Sequence, residues 1–193
     1  AQSVNVEETP ALRLFIDEMA SRYKFSHKEL NEWFAQAELR DDIIEAVYRP
    51  KESTPWHEYR KLFVNDGRAS KGLEFWKANA ETVFSASSEY GVPPEIIVAI
   101  IGIESRYGRQ GGRYRVLDAL LTLTLRYPER SEFFRNQMAE FLLLARELNV
   151  NPLSIKGSYA GAMGIPQFIP SSYRSYAVDF DGDQKRDLND VED

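Results

Sequence analysis

Apolar positions recur at three- and four-residue spacing along most of the chain, and no alternating segment longer than four residues reads as a strand. The pattern predicts a mainly α protein. Pro10 opens a first helix with Leu12, Phe15, Ile16 and Met19 on one face. Ser26 with Glu29 three residues on predicts a capping box. Leu30, Trp33, Phe34 and Ala37 continue that helix at i, i+3, i+4 and i+7. Thr54-Pro55 predicts a cap followed by proline at the first helical position, opening a short helix through Phe63. A longer helix is predicted from Ser70 to Tyr90, with Phe75, Trp76, Asn79, Ala80, Val83 and Phe84 sharing a face and Gly91 as its stop. Pro93-Pro94-Glu95 opens the next helix, and amphipathic helices follow at Val116–Arg126 and Glu129–Leu148. Beyond Asn151-Pro152 the texture changes: Gly157, Gly161, Gly164, Pro166 and Pro170 punctuate a compact loop region. The turn signal Asn65-Asp66-Gly67 marks a weak boundary within Asn65–Gly72.

The segment Ile96–Ile103 is apolar on all sides, which predicts a helix in the centre of a domain. At eight residues it is also the longest apolar run, far short of the roughly 20 that a bilayer requires. Glu104 closes it. Apolar walls and the negative end of the helix dipole both disfavour a carboxylate there, so its pKa is expected to rise, as a general acid requires. An ion pair with Arg106, Arg109 or Arg113 is the competing reading. Further on, Gly157–Phe168 combines glycines that let backbone approach a ligand with hydrogen-bonding Ser158 and Gln167 and apolar Tyr159, Met163 and Phe168. That mixture suits a sugar ring, and a tight structural turn is the alternative. Asp118 is the nearest sequence candidate for a second carboxylate, but Val116-Leu117-Asp118-Ala119-Leu120 reads more simply as a helix start.

Composition narrows the classes. The chain has 193 residues, 43% of them hydrophobic, which excludes a disordered chain. The net charge of −6 argues against sequence-independent nucleic-acid binding. Absence of cysteine excludes disulfides, zinc-thiolate sites and a Cys nucleophile. Ala1-Gln2-Ser3 shows neither the basic start nor the apolar core of a signal peptide. The charge is concentrated at one end: Asp179–Asp193 holds seven acids and two bases, leaving 23 and 22 for the other 178 residues. Within it, residues 179–190 place Asp179, Asp181, Asp183, Asp187 and Asp190 at positions 1, 3, 5, 9 and 12, with the Lys185 carbonyl at 7. This is EF-hand spacing for Ca²⁺. Gln184 stands where glycine is usual and Asp190 where glutamate is usual. A solvated acidic tail is the alternative.

Glu104-Ser105-Arg106-Tyr107-Gly108 and Gly161-Ala162-Met163-Gly164-Ile165-Pro166-Gln167-Phe168 resemble the first two motifs of lytic transglycosylases of the membrane-bound lytic transglycosylase B family and its soluble relatives. Pro55–Arg60, Leu117–Leu120, Tyr127–Arg130 and Pro170–Tyr173 match in the same order, so the resemblance runs from about Thr54 to Asp190. It implies a lysozyme-like (α+β) catalytic core over residues 71–193, behind an N-terminal helical region at 1–70. It implies cleavage of the β-1,4 bond between N-acetylmuramic acid and N-acetylglucosamine in peptidoglycan, with Glu104 as the single acid/base. Ser158 and Gln167 match positions that contact substrate near the scissile bond, Tyr59 an aromatic that helps hold the catalytic carboxylate, and Arg130 a substrate-side arginine; Tyr107, Met163 and Phe168 are expected to bind substrate as well, Tyr107 standing where relatives often carry tryptophan. The resemblance also implies a structural Ca²⁺ in the acidic loop, no catalytic cofactor, a periplasmic setting, cell-wall synthesis proteins as possible partners, and a family domain that continues past Asp193. A muramidase that hydrolyses the same bond, and a catalytically inactive peptidoglycan- or calcium-binding module, are the other functions compatible with these residues.

Overall fold

The structure is a computed structural model that describes residues 2–49 and 54–193. The first helices are α1 (Pro10–Tyr23), α2 (His27–Ala35) and α3 (Asp41–Tyr48). The Ser26 hydroxyl accepts the Glu29 amide at 3.4 Å and caps α2 as its spacing predicts. Helix α4 (Trp56–Tyr59) runs into a 3₁₀ turn at Arg60–Leu62 and is preceded by Pro55 at the cap position. The helix expected over Ser70–Tyr90 is two helices, α5 (Asp66–Ala78) and α6 (Ala80–Tyr90). Asn79 divides them. Its side-chain amide donates to the Phe75 carbonyl at 2.8 Å, competing with the backbone for the same acceptors. Asn65, read from sequence as a turn residue, caps α5 through the Arg68 amide at 3.0 Å.

Helix α7 (Pro94–Ser105) ends one residue past Glu104. Helix α8 (Val116–Arg126) has the predicted limits, and α9 (Ser131–Glu147) follows a 3₁₀ turn at Pro128–Arg130. Helix α10 (Pro170–Tyr176) lies in the stretch read as loop, and α3 was likewise not foreseen. Both are at most eight residues long, too short for a periodic signal. The strands are two residues each: β1 (Gln2–Ser3) pairs antiparallel with β2 (Glu38–Leu39), and β3 (Tyr114–Arg115) with β4 (Lys156–Gly157).

One apolar cluster joins α1–α3 to α8 and α9. Its contributors include Leu12, Phe15, Met19, Leu30, Phe34 and Ile43 from the N-terminal helices, and Phe15 meets Phe34 edge-on at 5.9 Å. Every residue of α8 from Val116 to Leu123 is buried, and each buried leucine contributes about 1.5–3 kcal/mol over an exposed one. This core crosses the boundary expected at residue 70. The N-terminal helices and α8–α9 share it, while α4–α7 form a layer outside it.

Helix α7 does not lie at the centre of a domain. It packs on α5 and α6 and buries only Val98, Gly102 and Ser105. Ile96, Ile100 and Ile103 are 47, 50 and 50% exposed. Apolar character all round a helix sets what it can bury, but neighbouring elements decide what it does bury.

Candidate active site

Glu104 occupies the last turn of α7. Its side chain reaches solvent on one side, while protein on the other withdraws enough water to raise its pKa above the ordinary glutamate value. Burial is the cause, with no contribution from a neighbouring charge. None of the three candidate arginine partners meets it. Arg109 reaches Glu74 at 3.9 Å, Arg113 donates to the Tyr114 hydroxyl at 2.7 Å, and Arg106 caps the helix through its backbone amide.

The chain leaves Glu104 through an abrupt turn. Arg106, Tyr107 and Gly108 have φ of 52°, 62° and 76°, three successive left-handed residues. For Arg106 and Tyr107 that conformation costs about 1–2 kcal/mol each. Ser105, fully buried, steadies the turn: its hydroxyl donates to Ile101 O at 3.3 Å and accepts the Gly108 amide at 3.0 Å. Gly108 then lies against the Ile165 side chain, which brings the second motif to the first.

That second motif is a small closed loop. Met163 and Phe168 exchange both backbone hydrogen bonds, at 2.8 and 2.9 Å, and enclose Gly164–Gln167. Gln167 has φ 54° and its side-chain nitrogen donates to Gly164 O at 2.9 Å, leaving its amide oxygen available. The Ser158 hydroxyl oxygen accepts the amides of Ala160 and Ala162 at 3.2 and 3.1 Å. With both lone pairs engaged, its O–H is left as a donor. Gly164, at φ 73°, presses its backbone on Leu188, and the Ile165 amide donates to Leu188 O at 2.7 Å. Ile165 and Pro166 meet Ile97 and Ile101 of α7 around an apolar cavity of about 170 Å³.

The remaining expected sugar-site residues divide. Met163 is 3% exposed and belongs to the core, forming the stem of the loop and not a surface for sugar. Phe168 packs against that core. Tyr59 stacks on Trp56 and Phe63, with centroids 6.3 and 5.0 Å away, and Glu104 accepts no hydrogen bond from it. Arg130 stands over the Phe133 ring at 4.1 Å, at the start of α9. Tyr107 packs inward between α5 and α7, its hydroxyl donating to Arg68 O at 3.0 Å. Asp118 is 3% exposed and fully engaged, accepting the Glu38 amide at 2.9 Å and Arg115 Nε at 2.7 Å. It ties β2 to α8, in keeping with its reading as part of a helix start.

In the acidic loop, Asp179, Asp181 and Asp193 bring carboxylate oxygens within 4.8 Å of one another. An ion bound 2.3–2.6 Å from each oxygen spans that separation, and all-carboxylate donors suit a hard cation. Asp179 also accepts the amides of Gly182 and Gln184. Gln184 has φ 70° and so adopts the left-handed conformation that glycine normally supplies there. Among the described residues, the other expected carboxylate ligands fall outside that group of three. Asp183 pairs with Lys185 Nζ at 2.8 Å, which lowers the Asp183 pKa and raises that of Lys185. Asp187 accepts Asn189 N, and Asp190 accepts Glu192 N. Asp193, three residues past the expected loop, was not legible because it falls outside EF-hand register.

Residues 7–193 match the transglycosylase SLT domain. The chain belongs to the SLT transglycosylase family. Over 184 residues it is 42% identical to membrane-bound lytic murein transglycosylase B of Escherichia coli K12, covering 90% of this chain and 51% of that protein. The E. coli lytic transglycosylase SLT35, solved in complex with calcium, superposes with a TM-score of 0.92 at 42% identity, over 100% of this chain and 62% of SLT35. The soluble lytic transglycosylase SltB1 of Pseudomonas aeruginosa gives 0.87 at 48% identity, over 95% of this chain and 65% of SltB1. The chain thus spans about half to two thirds of the length of these relatives. The SLT domain's fold is mostly helical and lysozyme-like, as the sequence motifs imply. Among the described residues, no helix is long and apolar enough to cross a membrane.

Proposed function

We propose that the chain carries the catalytic acid of a lytic transglycosylase acting on peptidoglycan. The observation that carries this reading is Glu104: a carboxyl with a raised pKa and no second charged group acting on it, on the helix whose Ile97 and Ile101 share a cavity with Ile165 and Pro166 of the loop that follows Ser158. A glycosidase with two carboxyl groups places them about 5–9.5 Å apart. Asp118, the nearest sequence candidate for that partner, is engaged by Arg115 and the Glu38 amide.

One carboxyl suffices when the substrate supplies its own nucleophile. Protonated Glu104 gives its proton to the glycosidic oxygen as the bond between that oxygen and C1 of N-acetylmuramic acid breaks. The resulting carboxylate takes the proton from the C6 hydroxyl of the same sugar. O6 bonds to C1, closing a 1,6-anhydro ring, and no water is consumed. Intramolecular attack gains up to roughly 7–11 kcal/mol from proximity. Ser158 and Gln167 are assigned to the sugar's polar groups.

We also assign Ca²⁺ to the carboxylates of Asp179, Asp181 and Asp193, in a structural role. Calcium in the SLT35 complex supports this reading. With peptidoglycan as substrate, the setting that goes with this reading is the bacterial periplasm.

Digestion of peptidoglycan followed by mass spectrometry tests the reaction. A muramic acid product one water lighter than its reducing form is expected. Glu104→Gln, folded by circular dichroism, is expected to lose about 10²–10⁴-fold in rate. A hydrated product would replace the transglycosylase reading with a muramidase; substantial turnover by Glu104→Gln would remove Glu104 from its role.

A further inference from the structure

We propose that Tyr107, seated against Gly72 and Gly102, is a positioning residue that sets the direction of the Glu104 carboxyl. The proposal rests on the assignment of Glu104 as the acid, and it adds a device that holds it.

Gly102 precedes Glu104 by two residues on α7, about 200° around the helix axis. Tyr107 therefore packs on the back of the turn whose front carries Glu104. Its ring reaches there because Arg106, Tyr107 and Gly108 are all left-handed and return the chain along the helix. The seat is tight on both sides. A Cβ on Gly102 would lie 2.5, 2.6 and 2.7 Å from the Tyr107 hydroxyl oxygen, Cζ and Cε1. A Cβ on Gly72 of α5 would lie 2.6 Å from the hydroxyl oxygen but 3.1 Å from Cζ. Polar bonds close the seat: the Tyr107 hydroxyl donates to Arg68 O at 3.0 Å, and Arg68 Nη1 donates to Gly102 O at 2.8 Å. Arg68 thus grips both the ring and the helix turn. Phe75 covers the ring with centroids 5.6 Å apart. Gly102 and Gly72 are both buried inside helices, where alanine would otherwise be the better helix former. Their absent side chains are the space the ring occupies.

The two glycines differ in which atom blocks them, and that difference is the test. At Gly72 the hydroxyl oxygen alone is too close. At Gly102 ring carbons are too close as well. Removing the hydroxyl with Tyr107→Phe is therefore expected to relieve Gly72→Ala and not Gly102→Ala. The whole chain is used, with kcat and KM on soluble glycan strands, and with ¹³C-carboxyl NMR titration of Glu104. Gly72→Ala and Gly102→Ala are each expected to lower kcat about 100-fold, as a misplacement near 1 Å does, with KM little changed. Adding Tyr107→Phe is expected to restore about tenfold to Gly72→Ala and nothing to Gly102→Ala. The Glu104 titration should move toward the ordinary glutamate value in the unrelieved variants and return in the relieved one. Should Gly102→Ala not fold, Arg68→Met removes the bond to Gly102 O without crowding the seat and is expected to shift kcat and titration the same way. Equal rescue at both glycines, rescue at neither, or an unmoved Glu104 titration would overturn the proposal. If Glu104→Gln leaves cleavage intact, the acid assignment fails on its own, and the NMR titration still decides whether the seat governs that carboxyl.

Discussion

Helices α7 and α8 are both rich in apolar residues and meet opposite fates. Helix α7 reads Ile-Ile-Val-Ala-Ile-Ile-Gly-Ile, yet three of its isoleucines stand about half exposed. Helix α8 contains an aspartate and two threonines, yet it is buried without a gap from Val116 to Leu123. The polar groups of α8 survive burial because each is used. Asp118 receives Arg115 and the Glu38 amide, Thr122 receives the Arg40 amide at 3.1 Å, and Thr124 donates to Leu120 O at 2.7 Å. Burial follows the neighbours a helix has, and Glu104, the proposed acid, sits on the helix with fewer of them.

Substitution can break this contrast. Leu121→Ala in α8 is expected to cost about 2–5 kcal/mol in urea denaturation, since a sealed core cannot collapse onto the gap. A loss as small as that of a surface change would mean α8 is not the core helix. Next in size is calcium. At 100 times its dissociation constant it is expected to add about 2.7 kcal/mol to the chelator-treated protein, read as a higher Tm. Asp193→Asn should remove most of that gain, whereas Asp190→Asn should keep it. The reverse result would restore the twelve-residue register. Ile100→Ala, on the exposed face of α7, is expected to stay within about 1 kcal/mol. A core-sized loss there would erase the distinction between the helices.

The smallest effect is on pH dependence. Burial raises the Glu104 pKa in the folded state. The folded form then holds its proton more tightly than the unfolded chain. That contribution to stability is fully present below the unfolded value of about 4.5 and is lost as pH rises through the folded pKa. Glu104→Gln should therefore be slightly more stable than the parent at neutral pH, and the advantage should vanish in acid. Melting curves across pH 3–8 check the sign.

Much of the fold was legible because its signals are local. The α2 cap, the Gly91 stop and the limits of α8 depend on residues within a turn or two of one another. Asn79 was misread as one more position on a continuous face, since its bond to Phe75 O competes with helix propagation without changing the hydrophobic period. Exposure of α7 was illegible because it depends on what packs across it. Within the site, Glu104 and the Ser158–Gln167 loop came from motif and chemistry together. Asp193 and the seat of Tyr107 did not, because each arises where distant segments meet. The only trace of the seat in the sequence was a pair of glycines inside helical pattern, one of them read as part of a boundary.

The link between the acidic loop and the Met163–Phe168 loop has a consequence in isotope exchange. The Ile165 amide gives its proton to Leu188 O, the Leu188 amide gives its own to the Tyr173 hydroxyl at 3.1 Å, and that hydroxyl donates to Arg186 O at 2.5 Å. Deuterium reaches the Ile165 amide when its bond to Leu188 O opens. The uptake rate of that single amide thus reports the free energy of local opening. It makes one position in the Met163–Phe168 loop a clock for the parting of that loop from the acidic one.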